Sequence, residues 1–195
     1  MNQGRVTERA KDLVREYVGR GDMVVDATVG NGYDTVFLAE LVGERGKVIG
    51  FDVQEEAIVS ASRKVRAVRG EAVEAADFGA NVDLHLIGHE DMAQVVTGLV
   101  RAVMFNLGYL PGGDHGLVTE PGTTVTGLEA ALDILAPGGV VTVVVYPGHE
   151  GGKAEAEAVA SWVEEGLGGK GKVLVDVRGV FGEGVPYLVA VELIG

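Results

Sequence analysis

Residues Val24–Thr35 read VVDATVGNGYDT, and their order decides the architecture. A short apolar run, Met23–Ala27, carries the acid Asp26 near its end and predicts a buried strand. A turn containing Gly30 and Gly32 follows. The spacing of apolar residues over 35–42 predicts a helix with Asp34 as its N-cap. A second apolar run, Lys47–Phe51, ends at Asp52. Strand, acid, glycine turn, helix, strand, acid is the opening unit of a parallel α/β sheet. The glycines let backbone N–H groups approach a ligand where a side chain would clash. Asp52 lies 20 residues after Gly32, the spacing of an acid that holds ribose hydroxyls in nucleotide-type sites.

On either side of this unit the pattern continues. Val6, Ala10, Leu13, Val14, Tyr17 and Val18 give a helical face over 6–19. Further helices are expected over 54–67, 91–99, 123–135 and 153–165, and strands over 83–87, 102–106 and 140–146. Pro137 and the glycines after it stop the 123–135 helix. Residues 70–81 read as a loop, and 173–177 and 187–193 as a terminal strand pair. Five strands alternating with helices imply right-handed crossovers and a sheet covered on both faces. The last pair places an antiparallel strand at or near one edge. One α/β domain over 1–195 is expected.

Composition narrows the function. The 195 residues contain no cysteine, which removes disulfides, thiol nucleophiles and cysteine-based zinc sites and suits a reducing cytoplasm. Aromatics are only 6%, too few for broad stacking on single-stranded nucleic acid. The net charge of −13 disfavours nonspecific binding to phosphate backbones or anionic membranes. The N-terminal stretch mixes charges and has no signal-peptide core. The run over 140–146 falls far short of the roughly 20 residues of a membrane span. A soluble, cytoplasmic protein is expected.

Two cofactors compete for the glycine turn. A dinucleotide fingerprint wants a third glycine where Thr35 stands, and Asp26 and Asp34 would repel a pyrophosphate. S-adenosylmethionine carries an amino group and a sulfonium, which suit nearby carboxylates. No Gly-Lys-Ser/Thr pattern of an NTPase occurs. After the third strand comes GHEDM, with His89, Glu90 and Asp91; Glu90 or Asp91 could accept the adenine amino group or cap the next helix. After the fourth comes MFNLGYLPGGDH. There Asn106 could hold an amine N–H and aim its lone pair at a methyl group, and Tyr109 could pack on a flat base. The bland alternative is a turn asparagine beside a core tyrosine. His115, and His149 in YPGHEGG, are candidate proton acceptors; His85, within a strand, reads as structural. No metal-ligand spacing stands out.

Taken together, DATVGNGYDT, FDVQ, MFNLGYLPGGD and VYPGHEGG resemble the class I S-adenosylmethionine-dependent methyltransferases. More narrowly, they resemble the bacterial rRNA methylase family, whose members methylate the aminomethyl group of 5-aminomethyl-(2-thio)uridine at the tRNA wobble position. The likeness spans about residues 5–193 and implies a seven-stranded, mostly parallel sheet with the last strand antiparallel, helices on both faces, and often a homodimer. It implies that Asp26, Gly30, Asn31, Gly32, Asp34 and Thr35 cradle the methionine part. Asp52 and Gln54 would hold ribose and adenine. Asn106 and Tyr109 would sit at the target amine, with Asp114 and His149 nearby. Where the amine-methylating motif has prolines after its Asn or Asp, this chain has Leu107 and Gly108.

The partner implied is the tRNA anticodon stem-loop. Basic residues gather at Arg5, Arg9, Lys11, Arg15 and Arg20, interleaved with acids, and at Arg63, Lys64, Arg66 and Arg69. The first set reads as a solvated helix face. Other readings of the same residues are a methyltransferase of small molecules or ribosomal RNA, and a noncatalytic cofactor-binding protein.

Overall fold

A computed structural model describes residues 3–69, 81–108, 119–148, 151–176, 178, 182 and 184–194. Seven strands form one sheet: β1 (Met23–Asp26), β2 (Lys47–Phe51), β3 (Val82–His85), β4 (Val100–Asn106), β5 (Leu135–Val145), β6 (Gly171–Asp176) and β7 (Tyr187–Leu193). Their spatial order is β3-β2-β1-β4-β5-β7-β6. β1 to β5 run parallel, and β7 is antiparallel to both neighbours. The expected sheet, with its antiparallel last strand, is the one observed. β7 lies second from the edge and β6 closes the sheet.

Strand alternation explains the layers. Val24, Ala102, Met104, Val140 and Val144 face one way and pack on α1 (Gln3–Tyr17), α2 (Tyr33–Val42) and α3 (Glu55–Arg69). Val25, Val103, Phe105, Val141 and Val143 face the other way. They pack on α4 (Met92–Val95), α5 (Pro121–Ile134) and α6 (Gly152–Ser161). Successive strand residues point to opposite faces, so a strand covered on both sides reads as an unbroken apolar run. Among the described residues no helix is long and apolar enough to cross a membrane.

Several boundaries differ from expectation. Asp34 does not cap α2: Gly32, at φ 80°, holds the N-cap position and makes no side-chain hydrogen bond. Asp34 falls in the first turn, where a carboxylate still favours the helix dipole, and its side chain is engaged elsewhere. The helix expected over 91–99 shrinks to a 3₁₀ turn at His89–Asp91 and one turn of α4, with Gly98 at φ 109° before β4. β5 starts at Leu135 rather than 140: Leu135 already pairs with Val100, and a register shift absorbs Pro137–Gly139. Residues 70–80, in the expected loop, lie outside the described residues.

Candidate functional site

The strand order fixes where a ligand can sit. From β1 the chain moves out to β2 and β3, then returns to place β4 on the other side of β1. The crevice at the carboxyl ends of β1 and β4 is therefore the switch point where open α/β sheets bind ligands. Asp26 and Asn106 end these two strands, with Asp26 opposite Met104 in register. The ladder is extended by a side chain: Thr28 Oγ1 accepts the Asn106 N–H at 2.7 Å. A cleft of about 1150 Å³ opens here, lined by Gly30, Asn31, Asp34, Asp52, Gln54 and Asn106 among others.

Asp26 lies behind the cleft wall. It is 1% exposed and accepts the Thr35 hydroxyl at 2.6 Å and the Thr28 N–H at 3.3 Å. Burial, then the Asp34 charge, push its carboxyl up to about 7. Thr35 is fully buried, so it supports Asp26 rather than lining the cleft. Gly32 is likewise set back. A Cβ there would come within 2.5 Å of the Ala61 Cα, so this glycine seats α2 on α3.

The glycine turn is held by the acid that ends the second unit. Gly30, at φ 49°, donates its N–H to Asp52 Oδ2 at 2.8 Å. Asp52 Oδ1 takes the Gln54 N–H at 2.9 Å. Burial pushes the Asp52 carboxyl up, against these two N–H groups, which favour its charge.

On the β4 side a three-residue chain crosses the cleft wall. Lys11, on α1, places Nζ 3.1 Å from Asp34 Oδ1. Asn106 Nδ2 donates to the other Asp34 oxygen at 3.4 Å. An amide whose nitrogen faces a carboxylate turns its carbonyl oxygen the other way.

GHEDM divides into separate roles. Glu90 and His89 line the cleft, whereas Asp91 accepts from Gln94 Nε2 at 2.7 Å. Neither acid caps α4 with its side chain. His89 is buried edge-on to Phe105, and burial pushes its imidazole below the ordinary value, so it is neutral at pH 7. His85 stacks on Phe51 and lies 3.3 Å from Asp83, away from the cleft.

Tyr109, Asp114, His115 and His149 lie outside the described residues. The ends of the 109–118 segment are described. Gly108 N–H donates to Thr119 Oγ1 at 2.9 Å, and Thr119 N–H to the Gly108 carbonyl at 3.1 Å. This clasp lies on the cleft wall.

Among the described residues, the basic run on α3 does not gather on one exposed face. Arg66 is buried, and Lys64 sits over the Tyr33 ring at 4.6 Å. Arg63 is exposed, and the Arg69 side chain lies outside the described residues. Sequence reading placed Lys11 on a solvated helix face, whereas it is mostly buried against Asp34, and it did not single out Thr28. Lys11 was hidden among alternating charges, and the Thr28 hydroxyl stands in for a backbone acceptor.

The donor set suits S-adenosylmethionine. The cleft offers acids for two positive groups, Asp52 beside the glycine turn for a ribose, and the exposed apolar side chain of Val53 for a flat base. Val53 is 62% exposed, an apolar side chain with surface to cover.

Comparison with known proteins agrees. A family model described as "Putative rRNA methylase" matches residues 48–175, and one for protein-L-isoaspartate(D-aspartate) O-methyltransferase matches residues 3–86. The chain is 39% identical over 166 residues to the chloroplastic tRNA (mnm(5)s(2)U34)-methyltransferase of Arabidopsis thaliana. That alignment covers 81% of this chain but 58% of the relative, so the chain spans little over half of that protein. A solved structure of a putative rRNA-methylase from Clostridium thermocellum superposes with TM-score 0.87 at 39% identity, covering 97% of each chain. A putative methyltransferase from Streptococcus mutans, solved in complex with SAH, gives TM-score 0.80 at 32% identity over 100% of both chains.

Proposed function

Because the chain belongs to the rRNA methylase family of S-adenosylmethionine-dependent methyltransferases, we propose that it methylates the aminomethyl nitrogen of wobble 5-aminomethyl-(2-thio)uridine in tRNA. When bound, the cofactor supplies a methyl group already activated on a sulfonium. The chain then has to bind, orient and exclude water.

In this reading Asp52 and Gln54 hold the ribose and adenine end, and Gly30 and Asn31 face the middle of the cofactor. The Asn106 carbonyl accepts one N–H of the target amine and points its lone pair toward the methyl carbon. The N–C bond forms as the S–C bond breaks, and S-adenosylhomocysteine leaves. An alkylamine is protonated at neutral pH, so it sheds one proton before attack, and the methylated product leaves as an ammonium. Asp114, His115, His149 or water takes that proton, with Tyr109 packed on the base.

The observation that carries the reading is the Asn106 amide at the switch point, its nitrogen tied to Asp34 and its oxygen therefore presented as an acceptor. Identity to a tRNA wobble methyltransferase supports the choice of substrate. So does the charge: a chain of net −13 suits one modified base in a folded loop better than any phosphate backbone. Exposed Arg5 and Arg9, one turn apart on α1, adjoin the cleft residues Thr7 and Glu8 and suit the stem-loop backbone. The reading includes the homodimer that the family likeness implies and the cytoplasmic location that a cysteine-free composition suits.

The test is incubation with methyl-labelled S-adenosylmethionine and three acceptors: tRNA bearing 5-aminomethyluridine, tRNA with unmodified uridine, and ribosomal RNA. Label in the first alone is expected. Label in ribosomal RNA, or equally in both tRNAs, contradicts the substrate and leaves the methyltransferase class standing.

A further inference from the structure

We propose that Lys11 is the receptor for the α-carboxylate of the cofactor's amino-acid end, and that the Lys11–Asp34 pair reads this end as a zwitterion. The proposal rests on the cofactor being S-adenosylmethionine.

The argument starts from the charges on the cleft wall. Glu8, Asp34, Asp52, Glu90 and Glu120 all line it. Lys11 is the one lysine or arginine among the described lining residues. The 109–118 and 149–150 segments, whose flanks Gly108, Thr119 and Gly148 line the cleft, contain no lysine or arginine in their sequence. His89 is neutral, because burial lowers its imidazole. S-adenosylmethionine brings a sulfonium, an ammonium and a carboxylate. The acids suit the first two and repel the third, so a cation suits the carboxylate, and Lys11 is the one that the described lining offers.

Position agrees with charge. Asp52 ends β2, whereas Lys11 meets Asp34 next to Asn106, which ends β4. β2 and β4 flank β1, so the two sites lie about two strand spacings apart, roughly 10 Å. That separates a ribose subsite from an amino-acid subsite along an extended ligand.

The lysine is also prepared for the task. Its side chain is only 13% exposed. Nζ lies 3.1 Å from Asp34 Oδ1, 3.8 Å from Glu8 Oε1 and 5.5 Å from the Phe37 ring centre. An ammonium has three N–H donors, and the Asp34 contact takes one. The Glu8 contact is too long for a hydrogen bond. Donors therefore remain for a carboxylate while Asp34 faces the ligand's ammonium. A structural ion pair that merely fixes α1 would be indifferent to the ligand's carboxylate, and this separates the two roles.

The experiment is calorimetric titration of the full chain with S-adenosylmethionine and with its decarboxylated analogue, which keeps the sulfonium and the amine. Wild type should prefer the carboxylated ligand by about tenfold or more. Lys11→Met should weaken S-adenosylmethionine binding by about 10- to 150-fold, the equivalent of a hydrogen bond to a charged group. It should leave the decarboxylated ligand within about threefold, and Lys11→Arg should retain most of the preference. Lys11→Gln serves as a second neutral variant if Lys11→Met does not fold. Equal loss for both ligands, or no loss for either, overturns the proposal. Failure of wild type to bind S-adenosylmethionine at all overturns the cofactor assignment, and the Lys11 role with it.

Discussion

The Asp52 carboxylate latches the glycine turn: its Oδ2 accepts the Gly30 N–H at 2.8 Å. One acid thus shapes the turn and faces the cleft. Asp52→Ala frees that N–H and removes the proposed acceptor for ribose hydroxyls. S-adenosylmethionine affinity should fall by roughly 1.5–3 kcal/mol, read by calorimetry. An unchanged affinity would show that Asp52 does no more than close the turn.

Cofactor binding should depend on pH through Asp26. Its carboxyl is raised from 3.8 to about 7 by burial and by the Asp34 charge. As pH rises from 3.8 to about 7, the unfolded chain ionises while the folded one keeps its proton, so the stability of the free protein declines across that window. Cationic groups bound in the cleft favour the ionised form, so binding releases a proton and affinity climbs toward pH 7, by at most about tenfold per unit. Asp26→Asn should flatten both profiles. Titrations in buffers of different ionisation enthalpy measure the proton directly; uptake instead of release would contradict the assignment.

Asn106→Ala should separate binding from chemistry. Its amide meets Asp34 and the proposed amine, so cofactor affinity should stay within a few fold. Turnover should fall about 10²-fold or more, as for a lost positioning contact. Single-turnover kinetics with saturating cofactor is the measurement, and normal turnover would reduce Asn106 to a strand-end residue.

Two glycines near the cleft should respond oppositely to alanine. At Gly32 a Cβ meets the Ala61 backbone, and φ is 80°. Gly32→Ala should cost roughly 2–4 kcal/mol of stability in urea denaturation. At Gly88 the obstruction is the Glu90 carboxylate, the end of a flexible side chain. Gly88→Ala should leave stability within about 1 kcal/mol, because that carboxylate can swing aside.

What the sequence disclosed follows from how local each signal is. The run from Val24 through Asp52 contains strand, turn, helix and second acid within one crossover, so the sheet and its ligand edge were legible there. The β4 tip was legible because Asn106 breaks an apolar run. Other features depend on residues distant in the chain. Asp34 looks like an N-cap until Gly32 takes that position and Lys11, 23 residues earlier, claims its carboxylate. Lys11 sits between Glu8 and Asp12 in sequence, and only the docking of α1 at the cleft separates it from an exposed charge. Arg66 reads as part of a basic patch, yet its position on α3 turns it inward. The 123–135 helix was overrun by one residue because Leu135 pairs with Val100 across the sheet.

The central claim is that the accepting atom is an alkylamine on the wobble base. The direct measurement uses a synthetic anticodon stem-loop with 5-aminomethyl-2-thiouridine at the wobble position, digested to nucleosides after reaction and analysed by mass spectrometry. The account predicts one added methyl group on the aminomethyl nitrogen, and none on the same stem-loop carrying 2-thiouridine. A methyl group on a ring atom, on a ribose, or on the loop without the aminomethyl group would contradict it.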